Sequence, residues 1–437
     1  MPKLLQINIT ANWGSHGRIA EGIAQQAISQ GWESHIAYGR WANASQSQLF
    51  RIGSMADEYL HVAATRLTDS HGLHSRRATR KLISYIHALR PDVIHLHNIH
   101  GYYLNYPLLF QFLSGAGIPV VWTLHDCWSF TGHCAHFMTV GCKHWMTKCH
   151  HCPLKRAYPQ SFLLDASAKN YLLKRKAFLS VPLTTIVTVS QWLDDIVSES
   201  FLNSLPRQLI YNGIDMSRFC ILPDSKGVLR KYGIPTDRHI VLGVASKWYR
   251  QKGIDDFFRL RRMLADDFSV VLVGLDKKQV KALPAGIIGV QRTDDVSELA
   301  RLYSEASVFF NPTWEDNFPT TNIEALACGT PVVTYRTGGC PEAINDRNGC
   351  VVEQGDIEAA VAAVKRLCNA DRDSVRQECR QSVVHRFDQQ ERFKEYIDLY
   401  RRILSPEYCA RGASSVLYTA PVAQSSPHQP YDYDKIP

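Results

Sequence analysis

The chain has 437 residues, which is too long for one ordinary hydrophobic core and predicts two domains of similar size. Hydrophobic residues make up 45% and charged residues 21%, as in most soluble globular proteins, and the net charge of +8 is too small to indicate a nucleic-acid partner. No stretch reaches the ~18 uninterrupted apolar residues of a membrane-spanning helix, and the first residues lack a signal-peptide pattern. We therefore expect a cytoplasmic protein.

Basic residues cluster at 76–81 and at 169–176. One interpretation is a solvated helix face. The other is contact with an anionic membrane surface, which would place the protein at the inner face of the membrane. Composition alone does not decide between them.

In the first half of the chain, strand-like apolar runs alternate with helix-like segments. The predicted strands are Leu4–Ile9, Ser34–Tyr38, Asp92–His97, Pro119–Leu124 and Thr185–Val189. The helical patterns are Ile19–Ile28 and Leu82–Leu89. Continuous apolar strands separated by helices predict a parallel sheet covered by helices on both faces.

The same pattern restarts in the second half. The predicted strands are Ile240–Ala245, Val270–Val273, Ile287–Val290, Val308–Asn311 and Val332–Thr334. The predicted helices are Ile254–Leu264, Val296–Ala306, Asn322–Ala327 and Ile357–Leu367. The sequence therefore predicts an α/β fold of two doubly wound sheets, with ligands bound at the carboxyl ends of the strands in a cleft between the domains.

We place the domain boundaries by composition and periodicity. Residues 1–205 form the first predicted domain and 206–385 the second, joined near Pro206 and the turn-like Asn212-Gly213. Residues 386–404 carry one apolar helical stripe. Residues 405–437 are rich in Ser, Pro, Tyr and Gln, and we expect them to be disordered.

The segment 311–333 contains the strongest chemical signal. A strand ends, a loop carries Glu315 and Asp316, and a helix starts near Thr321. The free amides of such a helix start, from Thr320 to Asn322, favour an anion such as phosphate. Glu324 lies about one turn into the helix, where its carboxylate can accept a pair of vicinal hydroxyls. The alternative is that these acids only cap the helix.

Two further strand-end loops carry groups suited to a phosphorylated ligand. Lys247, Arg250 and Lys252 follow a predicted strand and can neutralise a diphosphate, although such a basic loop can also be merely solvated. Gly14 and Gly17 follow the first strand, where glycines let backbone amides approach a phosphate. The spacing is not Gly-Xaa-Gly-Xaa-Xaa-Gly, so a dinucleotide site is only weakly indicated.

Two histidine-rich strand ends lie between these segments. The first carries His97, Asn98 and His100, and the second carries His125 followed by Asp126. A lone histidine that ends a strand is more often structural than catalytic.

These motifs resemble the family-4 retaining glycosyltransferases. Asp316 and Glu324 have the family's seven-residue separation and precede Ala-Leu-Ala-Cys-Gly-Thr-Pro-Val-Val, and Lys252-Gly253 matches its Lys-Gly. The two histidine segments resemble the branch that makes colanic acid and related exopolysaccharides. The family's first acid is usually Glu, so either Glu315 or Asp316 occupies that role, and Ser246 stands where the family has an arginine.

The resemblance implies a GT-B fold and assigns roles to the residues. The first acid holds hydroxyls of the donor sugar, Glu324 binds the ribose, and Lys252, helped by Lys247 or Arg250, binds the diphosphate together with the Gly14–Gly17 loop. His125 contacts the donor sugar, and we assign His97, Asn98 and His100 to the acceptor side. The implied reaction moves a sugar from a UDP- or GDP-sugar, with retention, to a saccharide that we expect to be lipid-linked.

No metal or cofactor is expected at the reaction centre. Asp-Xaa-Asp occurs only at 432–434, in the expected disordered tail. Four cysteines in nineteen residues, Cys134, Cys142, Cys149 and Cys152, form a separate group. They indicate either a structural zinc site or a set of free, buried thiols, and similar cysteines accompany this loop in the exopolysaccharide branch.

Three alternatives remain open from the sequence. A GT-B epimerase or phosphorylase would share the fold, and a dinucleotide oxidoreductase would need the missing glycine fingerprint. A zinc-dependent nucleic-acid-binding protein would explain the cysteines and the charge but would leave the segment 312–333 without a purpose.

Overall fold

The structure, a computed structural model, describes residues 1–223 and 225–405. Of the described residues, 1–211 and 393–405 form one compact unit, the first, and 212–223 with 225–392 form the second. The predicted boundary at 205/206 therefore lies six residues too early, because strand Arg207–Leu209 completes the first sheet. The tail predicted to be disordered lies, from residue 406 onward, outside the described residues.

The first unit is built on a parallel sheet of seven strands in the order β3-β2-β1-β4-β5-β6-β7. The strands are β1 (Lys3–Asn8), β2 (Glu33–Tyr38), β3 (Gln48–Arg51), β4 (Val93–Leu96), β5 (Val120–Leu124), β6 (Thr184–Thr188) and β7 (Arg207–Leu209). Its helices are α1 (Gly14–Ser29), α2 (Met55–Thr68), α3 (Arg76–Leu89), α4 (Tyr106–Ala116), α5 (Ser167–Phe178) and α6 (Gln191–Ser198). The central strands β4, β5 and β6 are buried along their whole length, as expected for a sheet covered on both faces.

The second unit is built on a parallel sheet of six strands in the order β10-β9-β8-β11-β12-β13. The strands are β8 (His239–Val244), β9 (Phe268–Val273), β10 (Ile287–Val290), β11 (Val308–Asn311), β12 (Val332–Tyr335) and β13 (Gly349–Val352). Its helices are α7 (Lys226–Lys231), α8 (Ile254–Met263), α9 (Lys277–Lys281), α10 (Val296–Glu305), α11 (Thr320–Ala327), α12 (Ile357–Cys368) and α13 (Arg372–Val384). The last helix, α14 (Gln389–Ile403), begins in the second unit and belongs to the first from Phe393 onward. The predicted class, two doubly wound α/β sheets, is confirmed.

Helix α14 carries the apolar stripe that the sequence predicts for residues 386–404. From Phe393 onward its buried side chains join the core of the first unit beside Leu4, Ile23 and Trp32. Phe393 lies directly against Gly22 of α1, where an added Cβ would come within 2.1 Å of the Phe393 ring. Removing such a buried ring costs about 3–5 kcal/mol, so α14 is an integral part of the first unit.

Among the described residues, no helix has both the length and the apolar character needed to span a bilayer.

Candidate active site

Each sheet places its predicted segments at a reversal of strand order. In the first sheet the order reverses between β1 and β4, and in the second between β8 and β11. The glycine segment follows β1 and His97 follows β4, while the loops 245–253 and 312–319 follow β8 and β11. Open α/β sheets bind ligands at such points, outside the carboxyl ends of the strands. The fold therefore supports a ligand site at both positions.

The glycine segment forms the beginning of α1. Gly14 has φ +68° and is the first residue of the helix, whose N-cap Trp13 makes no side-chain capping bond. Gly17 packs against Thr10, where an added Cβ would come within 2.5 Å of the Thr10 hydroxyl oxygen. Both glycines are thus required by the local backbone and packing, and the first turn of α1 keeps amides free of helical acceptors.

Histidines 97 and 125 form a hydrogen-bonded pair next to this helix start. His97 Nδ1 and His125 Nε2 are 3.2 Å apart, and the two rings are stacked. His97 Nε2 lies 2.9 Å from Gln6 Oε1, and Gln6 Nε2 donates to the Ala20 carbonyl, which fixes the orientation of the amide. Gln6 therefore accepts from His97 Nε2–H, so His97 Nδ1 must accept the hydrogen bond from His125 Nε2–H.

The same pair stays uncharged near neutral pH. Burial lowers the pKa of His97 and of His125 well below the ordinary value, and the neighbouring histidines lower both further. Burial likewise lowers the pKa of His16, on the first turn of α1, to about 4. His125 is thus a neutral hydrogen-bonding group in a fixed tautomer, and it is suited to orient a polar ligand.

The structure corrects the predicted placement of the acceptor-side histidines. His97 is 1% exposed and lies behind His125, so it acts through His125 instead of lining an open surface. His100 is also buried, and its two ring nitrogens lie 2.8 Å from Asp126 Oδ2 and 2.9 Å from the Tyr158 hydroxyl. Burial alone would raise the pKa of Asp126, but His100 holds it well below the ordinary value. Asn98 is partly exposed.

Two exposed tryptophans next to the glycine segment were missed from the sequence. Trp13 and Trp41 are 44% and 53% exposed, with ring centroids 4.4 Å apart. The Ala11 amide donates to the Trp41 carbonyl and the Asn43 amide donates to the Ala11 carbonyl, which holds the two loops together. The Asn12 side chain also donates to the Ala44 carbonyl. The pair offers a rigid aromatic surface to a ligand. Because the residues are 28 positions apart, periodicity could not reveal the pair.

In the second unit, Lys252 and Asp316 form an ion pair. Lys252 Nζ lies 2.6 Å from Asp316 Oδ2, and the Phe318 amide donates to Asp316 Oδ1 at 3.2 Å. The backbone carbonyl of Glu315 lies 3.5 Å from the same ammonium group. Burial lowers the pKa of Lys252, but the Asp316 carboxylate more than offsets this and raises the pKa above the ordinary value. Asp316 and Lys252 therefore belong to one charged centre.

Two glycines let the surrounding loops approach closely. Gly253 has φ +73°, and a Cβ there would come within 2.1 Å of the Pro312 carbonyl oxygen. Gly338 has φ +52°, and its Cβ would come within 1.8 Å of the Asp316 carbonyl oxygen. The Trp314 amide also donates to the Gln251 carbonyl at 2.8 Å. This contact network explains why the Lys-Gly pair and the acid loop form one site.

Glu324 is held by a residue that the sequence analysis did not single out. The buried Tyr303 hydroxyl donates to Glu324 Oε2 at 3.1 Å. Tyr303 lies on α10, while Glu324 lies on α11 and remains partly exposed. The hydrogen bond fixes one carboxylate oxygen and thereby orients the other.

The start of α11 only partly matches the prediction. Thr320 and Thr321 are partly exposed in its first turn, where amides have no helical acceptor. Asn322 is 1% exposed, its amide donates to the Pro319 carbonyl, and its side chain bonds to Asn311 and Cys340. These bonds turn Asn322 inward, so Thr320 and Thr321 are the more accessible residues of this helix start, and the donor-binding role of Asn322 stays a prediction.

The other two basic residues predicted for this loop are more exposed to solvent than Lys252. Lys247 and Arg250 are exposed, whereas Lys252 is partly buried. Within the described part of the chain, Lys252 is the basic side chain of this loop that bonds to the segment 312–316.

The four cysteines of the first unit line one small cavity with Phe137 and Trp145. All four are free thiols, the Cys134 and Cys152 thiols are hydrogen-bonded, and the Gly132 amide donates to Cys149 Sγ at 3.1 Å. As arranged, no group of three or more His, Cys, Asp and Glu side chains among residues 1–223 and 225–405 could hold a metal ion. Structural zinc therefore stays a prediction, supported by the shared cavity but not by a formed ligand set.

One basic residue of the predicted cluster at 169–176 is not a surface charge. Lys174 is 1% exposed and donates to the carbonyls of Trp128 and Thr131 at 2.6 and 3.0 Å. Burial lowers its pKa to about 7. For Lys174, both predictions, a solvated helix face and a membrane contact, are therefore wrong. Its hydrogen bonds instead connect α5 to the loop after β5.

Solved structures of similar fold define the class. The chain is similar to sucrose-phosphate synthase (tll1590) from Thermosynechococcus elongatus, with a TM-score of 0.68, 18% identity, and coverage of 92% of this chain and 99% of that one. It is also similar to Anabaena Alr3699/HepE in complex with UDP, with a TM-score of 0.64, 13% identity, and coverage of 92% and 100%. The fold is that of the GT-B glycosyltransferases.

The sequence then gives the family. The Glycosyltransferase Family 4 model matches residues 16–218, and the model called Glycosyl transferases group 1 matches residues 238–370. A protein of Escherichia coli (strain K12), whose name assigns it to colanic acid biosynthesis as the glycosyl transferase WcaC, is 25% identical over 416 residues, covering 92% of this chain and all of that protein. The chain is therefore a glycosyltransferase that contains a Glycosyltransferase Family 4 domain followed by a Glycosyl transferases group 1 domain.

Proposed function

We propose that this glycosyltransferase moves a sugar from a UDP- or GDP-sugar to a hydroxyl of a lipid-linked saccharide, with retention of the anomeric configuration. We place the reaction in the cytoplasm, at the inner face of the membrane, in the biosynthesis of an exopolysaccharide or other surface polysaccharide. The UDP bound by the HepE structure supports a nucleotide-sugar donor, and the name of the E. coli relative supports the pathway.

The ion pair between Lys252 and Asp316 carries this proposal. It joins the basic loop after β8 to the acid loop after β11, at the strand-order reversal of the second sheet. A cation beside a carboxylate at such a point suits a ligand that combines a diphosphate with sugar hydroxyls. Asp316, and not Glu315, places its carboxylate on Lys252, so we assign the sugar hydroxyls to Asp316.

The proposed mechanism depends on stabilising the charge of the leaving diphosphate. Lys252 keeps its proton because Asp316 raises its pKa, and it supplies positive charge where negative charge develops. The amides of Thr320 and Thr321 add donors at the start of α11. Glu324, oriented by Tyr303, binds the ribose. The acceptor proton passes to the leaving diphosphate, so no nucleophile from the protein is needed.

We assign the remaining contacts to residues of the first unit. We assign His125, in the tautomer fixed by His97, to a hydrogen bond with the donor sugar. We assign the backbone amides of the first turn of α1, at Gly14, to the diphosphate. The exposed pair Trp13 and Trp41 provides an aromatic surface for the acceptor saccharide.

The test is a transfer assay with UDP- and GDP-sugars and a panel of lipid-linked saccharides. Proton NMR of the fresh product should show the anomeric configuration of the donor. A product of inverted configuration would contradict retention. Conversion of the donor alone would indicate an epimerase, and dependence on inorganic phosphate would indicate a phosphorylase.

A further inference from the structure

Helix α2 exposes its apolar side chains and buries its polar ones. Tyr59 and Leu60 are 68% and 72% exposed, whereas Glu58, His61 and Thr65 are at most 8% exposed. A surface helix of a globular protein normally has the opposite arrangement. Packing within the first unit therefore does not explain the outer face of α2.

The buried polar groups fix this orientation of the helix. Glu58 forms an ion pair with Arg40, whose Nε lies 2.9 Å from Glu58 Oε2. His61 bonds to the Ser75 hydroxyl through Nδ1 at 2.9 Å and accepts from the Gly72 amide through Nε2 at 3.0 Å. Rotating α2 to bury its apolar face would break these bonds and leave buried polar groups unpaired, which is costly. The apolar face is thus held outward.

A second segment extends the apolar surface beyond the end of α2. The Phe162 amide donates to the Arg66 carbonyl at 2.7 Å, and the Leu164 amide donates to the Leu67 carbonyl at 3.3 Å. Residues Phe162, Leu163 and Leu164 are 49%, 65% and 55% exposed. We call the combined surface the outer patch, and it comprises Met55, Tyr59, Leu60, Leu67, Phe162, Leu163 and Leu164.

Basic residues lie at the outer patch and on the neighbouring helix α3. The exposed Arg66 guanidinium lies over the Phe162 ring at 5.9 Å, and Lys155 Nζ donates to the Leu163 carbonyl at 3.3 Å. The bond between Ser75 and His61 also brings the start of α3 against α2. Directly after Ser75, α3 presents four exposed basic residues, Arg76, Arg77, Arg80 and Lys81.

The same region holds fewer acidic groups than basic ones. Asp57 accepts from the Ser54 amide and hydroxyl, and Glu58 pairs with Arg40. Asp165 accepts from the amides of Cys152 and Ser167. The surroundings of the outer patch therefore combine exposed apolar side chains with an excess of positive charge.

We propose that the outer patch docks the protein onto a bilayer of anionic phospholipid. Large exposed apolar surfaces mark interaction sites, and a basic rim selects an anionic partner surface. The inference deepens the proposed function, since it locates the surface that would hold the enzyme beside a lipid-linked acceptor. Vesicle binding needs neither donor nor acceptor, so this inference and the proposed function can fail separately.

The experiment is flotation of the full-length protein with vesicles of phosphatidylcholine alone and with vesicles containing phosphatidylglycerol. We expect binding to the anionic vesicles and weak binding to the neutral ones. Leu60→Asp and Leu163→Asp should each lower the partition constant by about tenfold, which is the effect of one leucine side chain leaving an apolar environment. Arg76→Gln with Arg77→Gln should lower only the anionic preference.

Matched variants on the second unit provide the controls. Met263→Asp changes a 41% exposed apolar residue of α8, and Lys277→Gln with Lys278→Gln removes two exposed charges of α9. Neither should change flotation, and unchanged melting temperatures would show that the patch variants fold. Absence of wild-type binding, or equal binding by the patch variants, would overturn the proposal. So would a dimer that Leu60→Asp dissociates, because the patch would then bind a second copy.

Discussion

Lys252 and Asp316 are separated by 64 residues in sequence and by 2.6 Å in the structure. Each controls the chemistry of the other, because the carboxylate keeps the ammonium charged and the ammonium holds the carboxylate in place. The sequence offered two adjacent acids for one role. At the scale of single residues, the ion pair favours Asp316 over Glu315.

We predict that Asp316→Asn lowers kcat by about 100-fold while changing nucleotide affinity by less than about threefold. Burial would then act on Lys252 without the opposing carboxylate, so the pKa of Lys252 should fall and the alkaline limb of the kcat profile should move to lower pH. Steady-state kinetics across pH measures both effects. Glu315→Gln is the matched control, and a turnover defect there but not in Asp316→Asn would reverse the assignment.

At the scale of elements, the loop between β5 and α5 brings four cysteines to one cavity. Thiolates at such spacing suit zinc, although the described side chains do not form a ligand set as they stand. We predict about one zinc per chain, measured by mass spectrometry of the purified protein. Cys142→Ser should lower the zinc content and the melting temperature, whereas Cys368→Ser on α12 should change neither.

The zinc hypothesis has a clear contrary result. Protein that contains no zinc, titrates with all four of these thiols free, and keeps its melting temperature in a chelator would assign the cysteines to packing alone.

The elements that the sequence predicted well are the buried ones. The sequence predicts Val308–Asn311 with the bounds that the structure shows, because the strand is buried on both faces and its first three residues are apolar. Strand β3 was missed because Gln48–Arg51 lies at the sheet edge and is largely exposed. Helix α2 was missed because its polar residues face inward, which removes the ordinary apolar stripe.

From the sequence, the candidate site can be predicted only where its residues belong to a local motif. Apolar runs in the sequence reveal the strands, and the site segments directly follow strand ends. These segments are the acid loop at 315–316, Lys252 and the glycine segment. Gln6 and Tyr303 orient His125 and Glu324 through contacts between distant parts of the chain, and no spacing in the sequence records those contacts. Likewise, nothing in the run at 174–176 distinguishes the buried Lys174 from its neighbours.

At the scale of the whole molecule, buried histidines are concentrated in the first unit. Burial lowers the pKa of His61 to about 3 and lowers the pKa values of His71, His95, His97 and His125 well below the ordinary value. Among residues 212–223 and 225–392, no histidine is buried. The two units should therefore respond differently to acid.

We predict that the first unit loses stability as the pH falls from 7.5 to 5.5. Below about pH 6.5 each of these histidines takes a proton when unfolded but not when folded, which costs about 1.4 kcal/mol per pH unit for each. Glu58 acts in the opposite direction, because burial raises its pKa. Scanning calorimetry at constant salt measures the effect. A first-unit transition that stays constant or rises at pH 5.5 would contradict it.

The most direct test of the account is calorimetric titration of UDP, GDP and their sugars into the wild-type protein and Glu324→Gln. We predict that one nucleotide series binds the wild type, and that Glu324→Gln weakens it by at least about tenfold, as expected for loss of a charged hydrogen bond. Glu358→Gln, an exposed acid of α12, should bind normally. Wild-type protein that binds neither series, or equal affinity in Glu324→Gln, would contradict a donor site at the start of α11.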